Sequence, residues 1–270
     1  MQPYVILEKE NSLRSYGICD LTLTKPFIDL NKIKIEKYDD KLKLYYDGKR
    51  MKKTKTILKG ENGTIYIYTQ NFNSVAIKIP DNKKIFKEEI LFFKKYLPDE
   101  CNHHLIPYKI IDDYIIMQEA NGSLDEITLS DRLKIKIILK ITEVLKCFYE
   151  EKIIYTDIRK ENILYKCDGT NIIIYLGDIN AFSLEGDQFT NCILTPPEDK
   201  NKKHYRVTIK SLLYNLGIFI AELYDANFKH IKNNKNIPDN IKALIICFTE
   251  PDPKKRIRYD LDLVEKMINY

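Results

Sequence analysis

The chain has 270 residues, 44% hydrophobic and 31% charged, with 44 Lys+Arg against 39 Asp+Glu and a formal net charge of +5. That is ample for a packed globular core, in one large domain or two small ones. The mild positive balance is spread along the chain and does not by itself argue for a nucleic-acid partner.

No apolar run approaches the length needed to span a bilayer, and the N-terminus has no charged-then-apolar leader pattern. A soluble, intracellular protein is expected, cytoplasmic (of a host cell, for a viral or pathogen source) or nuclear, with no membrane or nucleic-acid partner. The cysteines Cys19, Cys101, Cys147, Cys167, Cys192 and Cys247 form no C-x-x-C pair. Several stand in apolar runs and read as small buried hydrophobes, which suits a reducing compartment. Heavy use of Ile, Lys, Asn and Tyr with no Trp suits an AT-rich genome.

Residues 1 to about 50 read as strands and turns, with Asp47-Gly48 as a hairpin signal after Leu42-Lys43-Leu44-Tyr45-Tyr46. The basic run from Lys49 to Lys55 reads as a solvated segment between two elements in preference to a nucleic-acid or nuclear-localisation patch. From Thr56 to Ile79 the pattern stays strand-like, broken by a polar turn at Gln70 to Ser74. Lys84 to Tyr96 has no Gly or Pro and spaces its apolar residues as an amphipathic helix does. Tyr114-Ile115-Ile116-Met117 suits a buried strand. After Leu124 the character turns helical. Ser130 can cap a helix from Asp131 to about Glu151, and further helices fit Ser211–Tyr224, Ile237–Phe248 and Leu261–Ile268. A strand-rich half followed by a helix-rich half implies two lobes.

Several segments stand out in order. Leu58-Lys59-Gly60-Glu61-Asn62-Gly63-Thr64-Ile65 is a glycine-bearing turn, and Val75-Ala76-Ile77-Lys78 places a lysine on a strand. Glu89-Ile90-Leu91-Phe92-Phe93-Lys94-Lys95 lies on the helix that follows, and Met117-Gln118-Glu119-Ala120-Asn121-Gly122-Ser123-Leu124 marks the change of character. Tyr155-Thr156-Asp157-Ile158-Arg159-Lys160-Glu161-Asn162 stands between a long helix and a strand. Gly177-Asp178-Ile179-Asn180 follows an apolar run, and Thr195-Pro196-Pro197-Glu198 and Asp252-Pro253-Lys254-Lys255-Arg256 come later.

Together these resemble the eukaryotic-type protein kinase superfamily, of a compact serine/threonine type, over about residues 54 to 268. The resemblance implies an α+β bilobal fold: an N-lobe over 54–118, a hinge over 118–122 and a C-lobe over 123–270. Residues 1–53 are expected to form a β-rich extension packed on the small lobe. It implies ATP and Mg2+ as cofactors, with Mn2+ as a substitute, and protein substrates. Leu58, Gly60, Gly63, Ile65 and Ala76 would line the nucleotide, with Met117 as gatekeeper and the Glu119 and Ala120 backbones meeting adenine. Lys78 would hold the α- and β-phosphates, fixed by Glu89 or its neighbour Glu88. Asp157 would orient the attacking hydroxyl, Arg159 would contact the γ-phosphate, and Asn162 and Asp178 would hold the metal. Glu198 and Arg256 would form a buried structural ion pair.

The sequence departs from the family pattern at specific places. Thr156 replaces the Arg that commonly binds an activation-loop phosphate, so activity without phospho-control is expected. Ile179 and Asn180 replace the Phe and Gly of D-F-G. Leu212 stands where the family has an Asp that buttresses the catalytic loop. Two other readings compete with an active protein kinase: a pseudokinase scaffold and a small-molecule kinase.

Overall fold

A computed structural model of the chain describes residues 26–38, 41–60, 63–168, 171–178, 181–189, 195–200, 202, 205–256 and 260–268. It divides into two compact units. The first comprises residues up to 97 with 102–122 and 164–175; the second comprises 98–101, 123–163 and the chain from 176 on. The fold is α+β, β-rich in the first unit and helical in the second.

In the first unit, β1 (Ile33–Tyr38), β2 (Lys41–Tyr46) and β3 (Lys49–Arg50) form an antiparallel sheet. The β2–β3 turn sits on Asp47 and Gly48, with φ of 50° and 75°, the left-handed pair that a tight hairpin requires. Next come β4 (Lys52–Gly60), β5 (Gly63–Gln70), β6 (Asn73–Ile79), β7 (Tyr108–Ile111) and β8 (Tyr114–Gln118), in the sheet order β4-β5-β6-β8-β7. Successive side chains on a strand point to opposite faces, and directly opposed residues share one. On one face Tyr68, Val75, Ile77 and Ile116 form a buried cluster with Ile28, Ile33, Leu44 and Met51. The 26–53 segment therefore packs on that face of the sheet. Gln118 fastens it, for its Oε1 accepts from the Ile28 N–H at 3.2 Å and its Nε2 donates to the Ile28 carbonyl at 2.5 Å. The side-chain amide pairs as a strand residue would. Between β6 and β7 lies helix α1 (Lys83–Tyr96), one residue longer than the expected span and anchored by the buried Phe86.

In the second unit, α2 (Asp131–Glu150) starts on Ser130, whose Oγ accepts from the Leu133 N–H at 3.3 Å. Leu133, Ile137, Ile138, Ile141, Leu145 and Phe148 are all buried along its expected apolar face. Each such side chain contributes about 1.5–3 kcal/mol. Helix α3 runs Ile209–Leu223, beginning two residues before the expected start. Thr208 is its cap, and Ser211 closes a reciprocal capping box with Thr208. Helix α4 (Asp239–Phe248) packs so closely on α3 that a Cβ at Gly217 would stand 2.8 Å from the Phe248 Cβ. Helices α5 (Pro253–Arg256) and α6 (Asp262–Ile268) complete the unit. The stretch between Asp225 and Pro238 carries a 3-10 helix at Phe228–Asn233.

The cysteine reading needs correction. Cys101 and Cys147 are joined by a disulfide with Cα atoms 6.0 Å apart, and Cys167 is disulfide-bonded as well. Cys247, a free thiol, is only half-buried. The inference from cysteine usage to a reducing compartment therefore loses its premise. Cys19 and Cys192 lie outside the described residues. Among the described residues no helix is long and apolar enough to cross a membrane.

Candidate active site

Ile65, Ala76, Lys78 and Met117, four of the expected nucleotide residues, lie on the sheet face opposite the Val75–Ile77–Ile116 cluster. The register pairs Leu58 with Ile65, Ile65 with Lys78, and Ala76 with both Ile67 and Met117. Ile65, Ala76, Lys78 and Met117 thus share one face. Ala76 and Met117 are buried and Lys78 is half-buried at the end of their row. Gly60 and Gly63 form the closing pair of the β4–β5 hairpin. Gly63 has φ of 147°, and a Cβ there would lie 2.5 Å from the Ile79 carbonyl oxygen, so the turn requires glycine. The side chains of Leu58 and Glu89, and residues 61 and 62, are outside what is described. Glu88 is exposed on α1.

The segment after β8 is held by strand β10, which follows in the chain. In chain order these later strands are β9 (Ile153–Tyr155), β10 (Ile163–Asp168), β11 (Asn171–Leu176) and β12 (Phe182–Leu184). Asn121 donates its N–H to the Tyr165 carbonyl at 2.9 Å, and its Oδ1 accepts from the Cys167 N–H at 2.9 Å. The fully buried Lys166 donates to the Glu119 carbonyl at 3.1 Å and lies over the Phe27 ring at 4.7 Å. The Glu119 carbonyl, expected to meet adenine, thus accepts from Lys166.

In the second unit, β9 pairs antiparallel with β12, placing Tyr155 opposite Phe182. The chain then turns through Asp157 to the 3-10 turn Lys160–Asn162. Asn162 Nδ2 donates to both the Asp157 carbonyl at 3.0 Å and its Oδ2 at 2.7 Å. Arg159 Nε lies 3.2 Å from the same Oδ2. The other oxygen, Asp157 Oδ1, is buried with no hydrogen-bond partner. One side of the carboxylate is clamped, and the other makes no hydrogen bond to the protein. Burial pushes the Asp157 carboxyl up, as do the Asp178 and Glu161 carboxylates; Arg159 and the Asn162 hydrogen bond oppose them. Tyr155, fully buried, has its hydroxyl held well above the usual phenol range by burial and by the Asp178 and Asp157 charges, so it stays protonated.

Sequence reasoning left the loop without its buttress, because Leu212 is apolar and buried within α3. The structure supplies another. Asn215, on the same helix, donates Nδ2 to the Thr156 carbonyl at 3.1 Å. Thr156 in turn sends its backbone N–H and its hydroxyl to the Ala181 carbonyl, at 2.7 and 2.9 Å. Thr156 and Asn215 are both buried. Thr156 therefore ties the turn that carries Asp157 to the segment after Asp178. A signal was available: Asn215 is a lone amide amid the apolar run of α3.

Asn162 and Asp178 are the residues that would hold a divalent cation here. Asn162 gives its amide nitrogen to Asp157, and Asp178 adds a half-buried carboxylate beside a loop joined to Asn162 by the Gly177 N–H at 2.8 Å. Among the described residues no group of three or more His, Cys, Asp or Glu could hold a metal alone. A hard oxygen pair of this kind suits a Mg2+ ion that takes its remaining ligands from phosphate and water. Ile179 and Asn180 lie outside the described residues. The expected pair of Glu198 and Arg256 is present and bidentate, at 2.8 and 3.1 Å, with Arg256 fully buried and also donating to the Glu250 and Lys210 carbonyls.

No family model matches the chain. Among curated proteins it is similar to serine/threonine-protein kinase pak-1 of Caenorhabditis elegans, 24% identical over 76% of the chain and 38% of that protein. It is also similar to a probable serine/threonine-protein kinase of Clostridium perfringens, 24% identical over 76% of the chain and 36% of that protein. Mouse serine/threonine-protein kinase PAK 1 is 23% identical over 72% of the chain and 38% of its own length. The chain thus spans well under half the length of these relatives. Among solved structures it resembles the ROP18 kinase domain in complex with AMP-PNP and sucrose, with a TM-score of 0.62 and 14% identity, over 96% of this chain and 90% of that one. By these relatives and by its fold, the chain is similar to the protein kinase superfamily.

Proposed function

We propose that the chain transfers the γ-phosphoryl group of ATP to serine or threonine hydroxyls of proteins. The observation that carries this reading is the half-clamped Asp157, with Oδ2 held by Asn162 and Arg159 and Oδ1 buried without a partner. A substrate hydroxyl is the natural donor to that oxygen, and the carboxylate then orients it and accepts its proton. Asp178 and Asn162 would hold Mg2+, which when bound supplies neutralisation of phosphate charge. Lys78 would bind the α- and β-phosphates and Arg159 the γ-phosphate, so catalysis is mostly positioning and charge compensation. The serine/threonine assignment draws on the printed names of the relatives, and nucleotide use on the AMP-PNP held by the structural neighbour.

Thr156 brings no cation to receive an activation-loop phosphate, and its side chain is engaged with Ala181. Control by phosphorylation of that loop is therefore not part of this reading, and phosphatase treatment should leave activity near its starting value. Complete loss after treatment would contradict it. The central test incubates the protein with labelled ATP, magnesium and generic protein substrates, with Asp157→Ala as control. Transfer to protein that vanishes in the variant is expected. No transfer and no ATP-dependent rise in Tm would favour a pseudokinase scaffold, and transfer only to small molecules a small-molecule kinase.

A further inference from the structure

Lys166 is fully buried on β10, a place lysines seldom occupy, and phosphoryl transfer as proposed gives it no task. Its Nζ donates to the Glu119 carbonyl at 3.1 Å. Its two neighbours on β10 hold the same segment through Asn121, whose N–H donates to the Tyr165 carbonyl and whose Oδ1 accepts from the Cys167 N–H, each at 2.9 Å. At the near end, the Gln118 N–H donates to the Pro107 carbonyl at 2.9 Å. Ala120 is the exception. It is half-buried between these fixed neighbours, and among the described residues its N–H donates to no group of the protein. All of these residues belong to the first unit.

The Glu119 carbonyl and the Ala120 N–H are the two ends of one conjugated peptide group. A donor on the oxygen draws electron density from the nitrogen, so the N–H becomes a stronger donor. Hydrogen bonds chained in this way reinforce one another by about 10–30% each. The same contact takes up one of the two lone pairs of the oxygen and makes it a poorer acceptor for a second donor. Both effects favour a base that offers this peptide an acceptor over one that offers it a donor. Adenine offers the unprotonated ring nitrogen N1; guanine has an N1–H at the same place. A lysine that merely steadied the segment would serve every nucleotide alike, and Asn121 already fixes that segment from both sides of Lys166.

We propose that Lys166 is a positioning residue that acts through the Glu119–Ala120 peptide to select adenine over guanine nucleotides. The proposal rests on the nucleotide reading above and adds to it the residue that sets the choice of base. The test is isothermal titration calorimetry of the full chain, with Mg2+, against triphosphates that differ only in the base. They are ATP, GTP, 1-deaza-ATP, which has C–H in place of N1, and 7-deaza-ATP, which keeps N1. ATP and 7-deaza-ATP should bind the parent alike, with 1-deaza-ATP and GTP each about tenfold weaker. In Lys166→Met the gap between ATP and 1-deaza-ATP should shrink to about threefold. Lys166→Arg, which can donate to the same carbonyl, should restore most of it. Equal binding of ATP and 1-deaza-ATP by the parent would overturn the proposal, and that result needs no variant to fold. A folded Lys166→Met with the gap unchanged would overturn it too, as would a loss equal for every nucleotide, the mark of a purely structural lysine. A parent that binds none of the four would overturn the nucleotide reading and this proposal with it; a parent that binds ATP without discrimination would overturn this proposal alone.

Discussion

Asn215→Leu removes the amide that donates to the Thr156 carbonyl at 3.1 Å, in surroundings from which water is excluded at both residues. An orphaned buried acceptor costs about 1–3 kcal/mol. Part of that is offset, because Asn215 Oδ1 already lacks a hydrogen-bond partner and leucine removes it too. A net loss of about 1 kcal/mol is expected in urea unfolding. The larger effect falls on the loop that carries Asp157. If the loop relaxes enough to raise the barrier by about 1.4 kcal/mol, kcat drops about tenfold, with KM for ATP little changed. Asn215→Asp is the sharper variant. An ionised carboxylate would face the Thr156 carbonyl with nothing to donate, whereas the protonated acid can donate as the amide does. Burial and the carbonyl raise the folded-state pKa of that acid, so its support is present at low pH and is lost as pH rises through that value. The variant should therefore recover stability on acidification from pH about 8 to about 5 by more than the parent. If Asn215→Asp matched the parent at pH about 8 in both unfolding free energy and kcat, the buttress would have no role and the reasoning would be refuted.

Three further outcomes follow from the same structure. Arg256→Ala leaves Glu198 half-enclosed without its partner and should cost about 3–5 kcal/mol in urea unfolding; Arg256→Lys, which cannot form the bidentate fork, should recover only a part. Cys147→Ser opens a disulfide that closes a sequence separation of 46 residues, and on the chain-entropy account should lower stability by about 4 kcal/mol, a loss that reductant would not deepen at that bond. Because burial holds the Asp157 carboxyl above its ordinary value, the acid limb of kcat/KM should lie at higher pH than a free aspartate titrates; Arg159→Gln should move it higher still, since that guanidinium pulls the other way. An acid limb unmoved in Arg159→Gln would contradict that account.

What the sequence made legible depended on how local the cause was. The Asp47-Gly48 turn, the Ser130 cap and the apolar face of α2 each follow from a few adjacent residues, and each is present. The association of Asp157 with Asn162 was legible because the two interact within one turn of chain. The Glu198–Arg256 pair was found over a long separation because each member sits in its own local pattern. The cysteines had no such signature: whether two thiols meet depends on where Cys101 and α2 come to lie, which spacing cannot tell. The buttress moved from the expected position at Leu212 to Asn215, and only the rule that buried amides need partners could have flagged it. The start of α3 was placed at Ser211, which is the third residue of a box begun by Thr208.

The Gln118 clamp on Ile28 has a practical consequence for anyone who makes this protein. A boundary drawn at residue 54, where the family resemblance begins, would strip Ile28, Ile33, Leu44 and Met51 from the sheet and bare Val75, Ile77 and Ile116 to water. It would also leave the Gln118 amide without its two backbone partners. Such a fragment would carry every recognisable motif and still be a poor reagent, prone to precipitate. The shortest sensible expression product keeps the strands ahead of β4, because they are as much a part of that core as the motif-bearing sheet itself.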